Sequence, residues 1–158
     1  MSNQERTNRK RLKQCLESMF RHLDRHYNIN YGGCCWVTYC LALNFERLGI
    51  DFDLIIYDED EYSAEEAYYT IKERRAGSFP TGDCTAYHYT LRITGMGTLN
   101  KSEEHFIKVS GITAEDIYWI YEKGDWNSCY NYRLNNDIKN LIDSTFNIYE
   151  QEIGKIAA

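Results

Sequence analysis

Gly32-Gly33-Cys34-Cys35-Trp36 is the segment with the most chemistry per residue in this chain. A cysteine in the first turn of a helix sits at the positive end of the helix dipole, which favours thiolate, the nucleophilic form of the thiol. Two glycines before it allow backbone and substrate to approach closely and leave N–H groups free to hold an oxyanion. His88 is the second element. It stands near the start of Tyr87-His-Tyr-Thr-Leu-Arg-Ile-Thr-Gly, a segment with strand alternation. A cysteine and a histidine together make an activated nucleophile, with the imidazole as general base and then acid. A third group should orient the ring. Asn100 closes the short segment GTLN after the Gly95-Met-Gly97 turn, and a strand paired antiparallel to 88–94 would bring it back towards His88. Asp83 and Asp125 are the alternatives. Cys35 is taken as the nucleophile, with its own N–H in the oxyanion hole. Cys34 competes for the role, because moving the helix start by one residue exchanges the two.

These side chains need a scaffold. Residues 7–27 carry Leu12, Leu16, Met19, Phe20, Leu23 and Tyr27 at spacings of three and four, which predicts an amphipathic helix with a basic outer face. Residues 35–48 are apolar nearly all round and predict a buried central helix with Gly49 as its C-cap. Phe52 to Tyr57 read as a strand, as do 87–95, 97–100 and 105–111. Residues 64–75 look helical. Thr113 is an N-cap candidate for a helix over 114–123, and residues 135–151 predict a last amphipathic helix. Strands and helices do not alternate in the βαβ manner, so the pattern is α+β: helix 35–48 on an antiparallel sheet of 51–57, 88–94 and 97–100, with extra N- and C-terminal helices. Residues 58–86, charged and holding Gly77, Pro80 and Gly82, are expected to cover the cleft.

Composition narrows the function. The chain has 158 residues with 14 Tyr, 6 Phe and 3 Trp, enough for a single domain with a real core. Residues 1–27 hold seven Arg and Lys against three acids, a local +4, so the remainder carries −10 of the net −6. An acidic body argues against a nucleic-acid partner. No stretch approaches 18 consecutive apolar residues, so no membrane span is expected, and no apolar segment of the secretory type follows the charged start. Six cysteines at 15, 34, 35, 40, 84 and 129 include an adjacent pair and no CxxC, which fits a reduced, cytoplasmic protein better than a disulfide framework. Cys84 and His88 form a C-x3-H near Cys35 and Cys40, but paired zinc-ligand spacing is missing, so neither a metal nor another cofactor is expected. Cys15, Cys40 and Cys129 read as small buried hydrophobes, and His22, His26 and His105 as surface residues.

A cysteine opening a central helix, a histidine on a strand and an asparagine on the next resembles the papain-like and transglutaminase-like cysteine enzymes. Cys35-Trp36 is similar to the Cys-Trp of papain-type peptidases, Gly32-Gly33-Cys34-Cys35 to the Gly-Gly-x-Cys of arylamine N-acetyltransferases, and His88-Tyr-Thr-Leu-Arg-Ile to the His strand of both. The resemblance covers about residues 28–100. It implies a papain-like fold and a thiol hydrolase or acyltransferase (cysteine peptidase, amidase or acyl-transfer enzyme) that passes a peptide, amide or acyl donor through a Cys-linked acyl-enzyme. Ile29 stands where papain-type peptidases have their oxyanion Gln, and Tyr31 and Tyr39 replace the acetyltransferase Arg and Asn. The alternative is therefore a non-catalytic binding or regulatory protein on the same fold, of the kind a phage or mobile element would encode. A zinc-stabilised interaction module is a third possibility.

Overall fold

The computed structural model describes residues 2–27, 34–57, 88–93, 106–123 and 132–157. Its first helix opens on a capping box. The Ser2 hydroxyl accepts from the Glu5 N–H at 3.1 Å, and the Glu5 carboxylate accepts from the Ser2 N–H at 3.1 Å. Helix α1, Asn3–Tyr27, therefore starts four residues before its apolar stripe suggests. That stripe, Leu12, Leu16, Met19 and Leu23, is buried. It meets the matching stripe of the last helix, Tyr132–Ala157 (called α4 below), made by Ile138, Ile142, Phe146 and Tyr149. The two helices run antiparallel, since Arg11 pairs with Glu152 at 3.5 Å while His22 and Leu141 line the same groove further along.

Helix α2, Cys34–Leu48, is the central helix that its composition predicts. Cys35, Val37, Thr38, Cys40, Leu41, Ala42, Asn44 and Phe45 are all buried. Full burial of a side chain such as Phe45 is worth about 1.5–3 kcal/mol in apolar transfer alone. Gly49, at φ 67°, ends the helix. Its N–H bonds to Glu46 O and the Ile50 N–H to Phe45 O, a left-handed cap that glycine adopts without a Cβ penalty.

The chain then turns directly into β1, Phe52–Tyr57, which pairs antiparallel with β2, His88–Ile93, and with β3, Phe106–Ser110. The order is β2-β1-β3. The central strand is the one buried on both faces, from Phe52 to Ile56. One row, Phe52, Leu54 and Ile56 with Leu91, Ile93 and Val109, joins the core that contains α2. In the other row the buried Asp53 carboxylate accepts from the Ser110 hydroxyl at 2.9 Å. Helix α3, Ala114–Lys123, follows and begins with a second capping box. Asp116 N–H donates to Thr113 Oγ1 at 3.2 Å and Thr113 N–H to Asp116 Oδ2 at 3.1 Å. The fold is thus mostly helical, with a small three-stranded antiparallel sheet. The expected elements over 64–75 and 97–100, and the covering segment 58–86, lie outside the described residues.

Candidate functional site

The helix that carries the cysteine pair is held from three sides. Helix α3 packs against it. Glu46 near the C-terminal end of α2 accepts from the Ala114 N–H at 2.7 Å, while nearer its start Tyr39 meets Tyr118 at a ring separation of 5.0 Å. Helix α4 is pinned by Asn44, whose amide donates to Cys40 O and to Asp143 Oδ1, both at 2.9 Å, and by the Arg47–Glu150 ion pair. Lys139 closes this group by pairing with Asp143 at 2.6 Å. At the other end Trp36 Nε1–H donates to Asn135 O at 2.8 Å. The third side is the sheet, where α2 lies against β2.

This packing sets where the candidate residues fall. Helix α2 starts at Cys34, one residue earlier than expected, so both cysteines lie in its first turn. Its C-terminal end leads within three residues into Phe52, whose ring lies 5.9 Å from Phe45. Phe52 pairs with Ile93, and the far end of β1, Tyr57, pairs with His88. Helix α2 lies against β2, and β2 begins at His88.

Cys35 is fully buried, at 0% exposure, and its thiol donates to the Ile117 carbonyl oxygen of α3 at 3.9 Å. It sits in the α2–α3 interface. His88 is the first residue of β2, in register with Tyr57. Asn100, Asp83 and Asp125 lie outside the described residues, as does Cys84.

Cys40 is the second buried thiol of α2. Burial pushes it up to about 12, Lys139 pulling it down and Asp143 up by less, so it stays protonated at neutral pH. Cys15 on α1 is also shifted upward, first by burial and then by Glu152, against a lowering by Arg11. Neither environment favours thiolate. No group of three metal-ligating side chains occurs among the described residues, and no described helix is long and apolar enough to cross a membrane.

No protein-family model, curated protein or solved structure matches this chain. One feature absent from the sequence reading is a groove of about 470 Å³ between α1 and α4, lined by Cys15, Met19, His22, Leu141 and Ile148 among others. Ile148 is 56% exposed at its edge. Its signal in sequence is one apolar residue outside the stripe of α4.

Proposed function

We propose that this protein is a thiol acyl-transfer enzyme, a hydrolase or acyltransferase, whose nucleophile lies in the first turn of α2 and whose general base is His88. What supports the reading is that α2 begins on its cysteine pair and lies against β2, the strand that begins at His88. The Cys35 thiol is fully buried, so Cys34, the first helical residue and the competing thiol, is taken as the nucleophile. In the reaction the thiolate attacks the carbonyl carbon of a peptide, amide or acyl donor. A carbon–sulfur bond forms, and the backbone N–H groups at the helix start hold the oxyanion. The leaving group departs with a proton from the imidazolium. Water or a second acceptor, deprotonated by the imidazole, then releases the acyl group and restores the thiol. Asn100 is retained as the residue that would orient the ring.

Iodoacetamide labelling with peptide mapping tests this. A single fast thiol at mildly acidic pH, lost in Cys34→Ser and retained in Cys35→Ser, supports it; uniformly slow labelling defeats it. The second reading, a non-catalytic binding or regulatory protein, is favoured by the complete burial of Cys35. It predicts that uniformly slow labelling.

A further inference from the structure

Helix α1 carries His22 and His26 one turn apart, in the spacing that stacks two side chains on one helical face. Both residues are exposed, and their ring centres stand 4.3 Å apart with the planes tilted by 42°. The backbone beneath them is fixed. Leu23, between them in sequence, is fully buried, and Met19 anchors the preceding turn. The pair is thus presented outward from a helix that is clamped on its other face.

We propose that His22 and His26 form a two-imidazole site for a borderline divalent transition-metal ion of the Zn²⁺, Ni²⁺ or Cu²⁺ class. Two imidazoles bound in neighbouring positions to one ion, at metal–nitrogen distances of about 2.0–2.1 Å, hold their ring centres roughly 4.5–5 Å apart. The observed separation is within a small side-chain rotation of that value. Imidazole is the ligand these ions share, and two of them one turn apart on a preformed helix bind without reordering the backbone. The remaining positions fall to water or an external ligand, because no third ligating side chain completes a cluster among the described residues. Cys15, two turns earlier and about 10 Å along the axis, is too far to join, and its raised pKa keeps it a thiol. Arg21 and Arg25 flank the pair on α1, in a segment of local charge +4, and weaken its hold on a cation. The site is therefore an open and exchangeable one. His22 also lines the groove between α1 and α4, so a ligand on the ion would sit at the mouth of that groove.

Calorimetric titration of the full chain with NiCl₂ tests the site. One saturable event is expected, weakened about tenfold or more in His22→Ala and in His26→Ala, since each removes one arm of the chelate. His105→Ala should leave it unchanged. Both variants alter exposed residues, and far-ultraviolet circular dichroism checks that they remain folded. Copper(II) electron paramagnetic resonance should show nitrogen hyperfine structure in the wild type that each variant reduces. Absence of saturable binding up to millimolar Ni²⁺, binding unchanged in both variants, or binding abolished only by cysteine alkylation would overturn the proposal.

Discussion

The Cys35 thiol donates to the carbonyl oxygen of Ile117, 3.9 Å away and 82 residues later in the chain. The thiol thus faces α3, and its complete burial removes Cys35 from the set of accessible thiols. Native-state alkylation of Cys35 should therefore follow unfolding, with a rate that rises with denaturant in step with loss of structure. A Cys35 that labels in the native protein as fast as an exposed thiol would contradict the burial. Cys35→Ala should cost stability without removing a fast-labelling thiol.

Asn44 links α2 to α4 by donating to both Cys40 O and Asp143 Oδ1, and it accepts from Arg47 at 3.0 Å. Asn44→Ala leaves the Asp143–Lys139 pair in place but strips a buried junction of its hydrogen bonds. The expected loss is about 1–3 kcal/mol, read from the urea midpoint at unchanged m-value. A loss as large as that of a core truncation would mean that the helices separate. Phe45 supplies the comparison. Its ring meets Phe146 edge-on at 5.7 Å, and Phe45→Ala should cost about 3–5 kcal/mol.

The buried thiol of Cys40 makes stability fall in alkali. Its ordinary value is 9.0 and burial raises it to about 12. Between those values the unfolded chain gives up the proton and the folded chain keeps it, so the unfolded state binds fewer protons and stability declines as pH rises. Cys15, Tyr39 and Tyr149 are all raised, with burial the first cause in each, and add slope of the same sign. The unfolding midpoint should drop steadily from pH 9 upward, and Cys40→Ala should flatten part of that drop. An alkaline slope identical in Cys40→Ala would contradict the assignment.

Helix α3 has two anchors at its start, the Thr113–Asp116 capping box and the Glu46 carboxylate on the Ala114 N–H. Thr113→Ala should cost about 1 kcal/mol. Glu46→Gln, which keeps an acceptor but removes the charge that complements the helix dipole, should cost less than Glu46→Ala. Thermal unfolding of the three variants gives the order. Equal losses for Glu46→Gln and Glu46→Ala would show that the charge is irrelevant there.

Several elements were legible because local chemistry decides them. Gly49 can take a left-handed φ at no cost, and Thr113 stands three residues before Asp116, so one helix end and one helix start follow from residue type. The start of α1 was legible in principle, since Ser2-x-x-Glu5 is a capping-box pattern outside the apolar period. The end of α4 was not. Gly154 usually stops a helix, yet α4 runs through it to Ala157, with Glu152 paired to Arg11 and Ile153 packed on the core. Strand order was also hidden. The continuous apolar run Leu54-Ile55-Ile56 marks a strand buried on both faces, but nothing local says that β2 and β3 are the two strands that flank it. The candidate site was legible as residue types at the mouth of α2. Which of two adjacent cysteines the core claims depends on α3, a long-range contact that no motif encodes.

The proposed chemistry requires an activated thiol at the mouth of α2, backed by His88. Mapped iodoacetamide labelling of the native protein at mildly acidic pH, in wild type, Cys34→Ser, Cys35→Ser and His88→Ala, tests it most directly. One fast site is expected, abolished in Cys34→Ser, kept in Cys35→Ser and slowed at least about tenfold in His88→Ala, because a thiolate there loses its cationic partner. Slow labelling at every cysteine, or a fast site indifferent to His88→Ala, would contradict it and leave the binding-protein reading in its place.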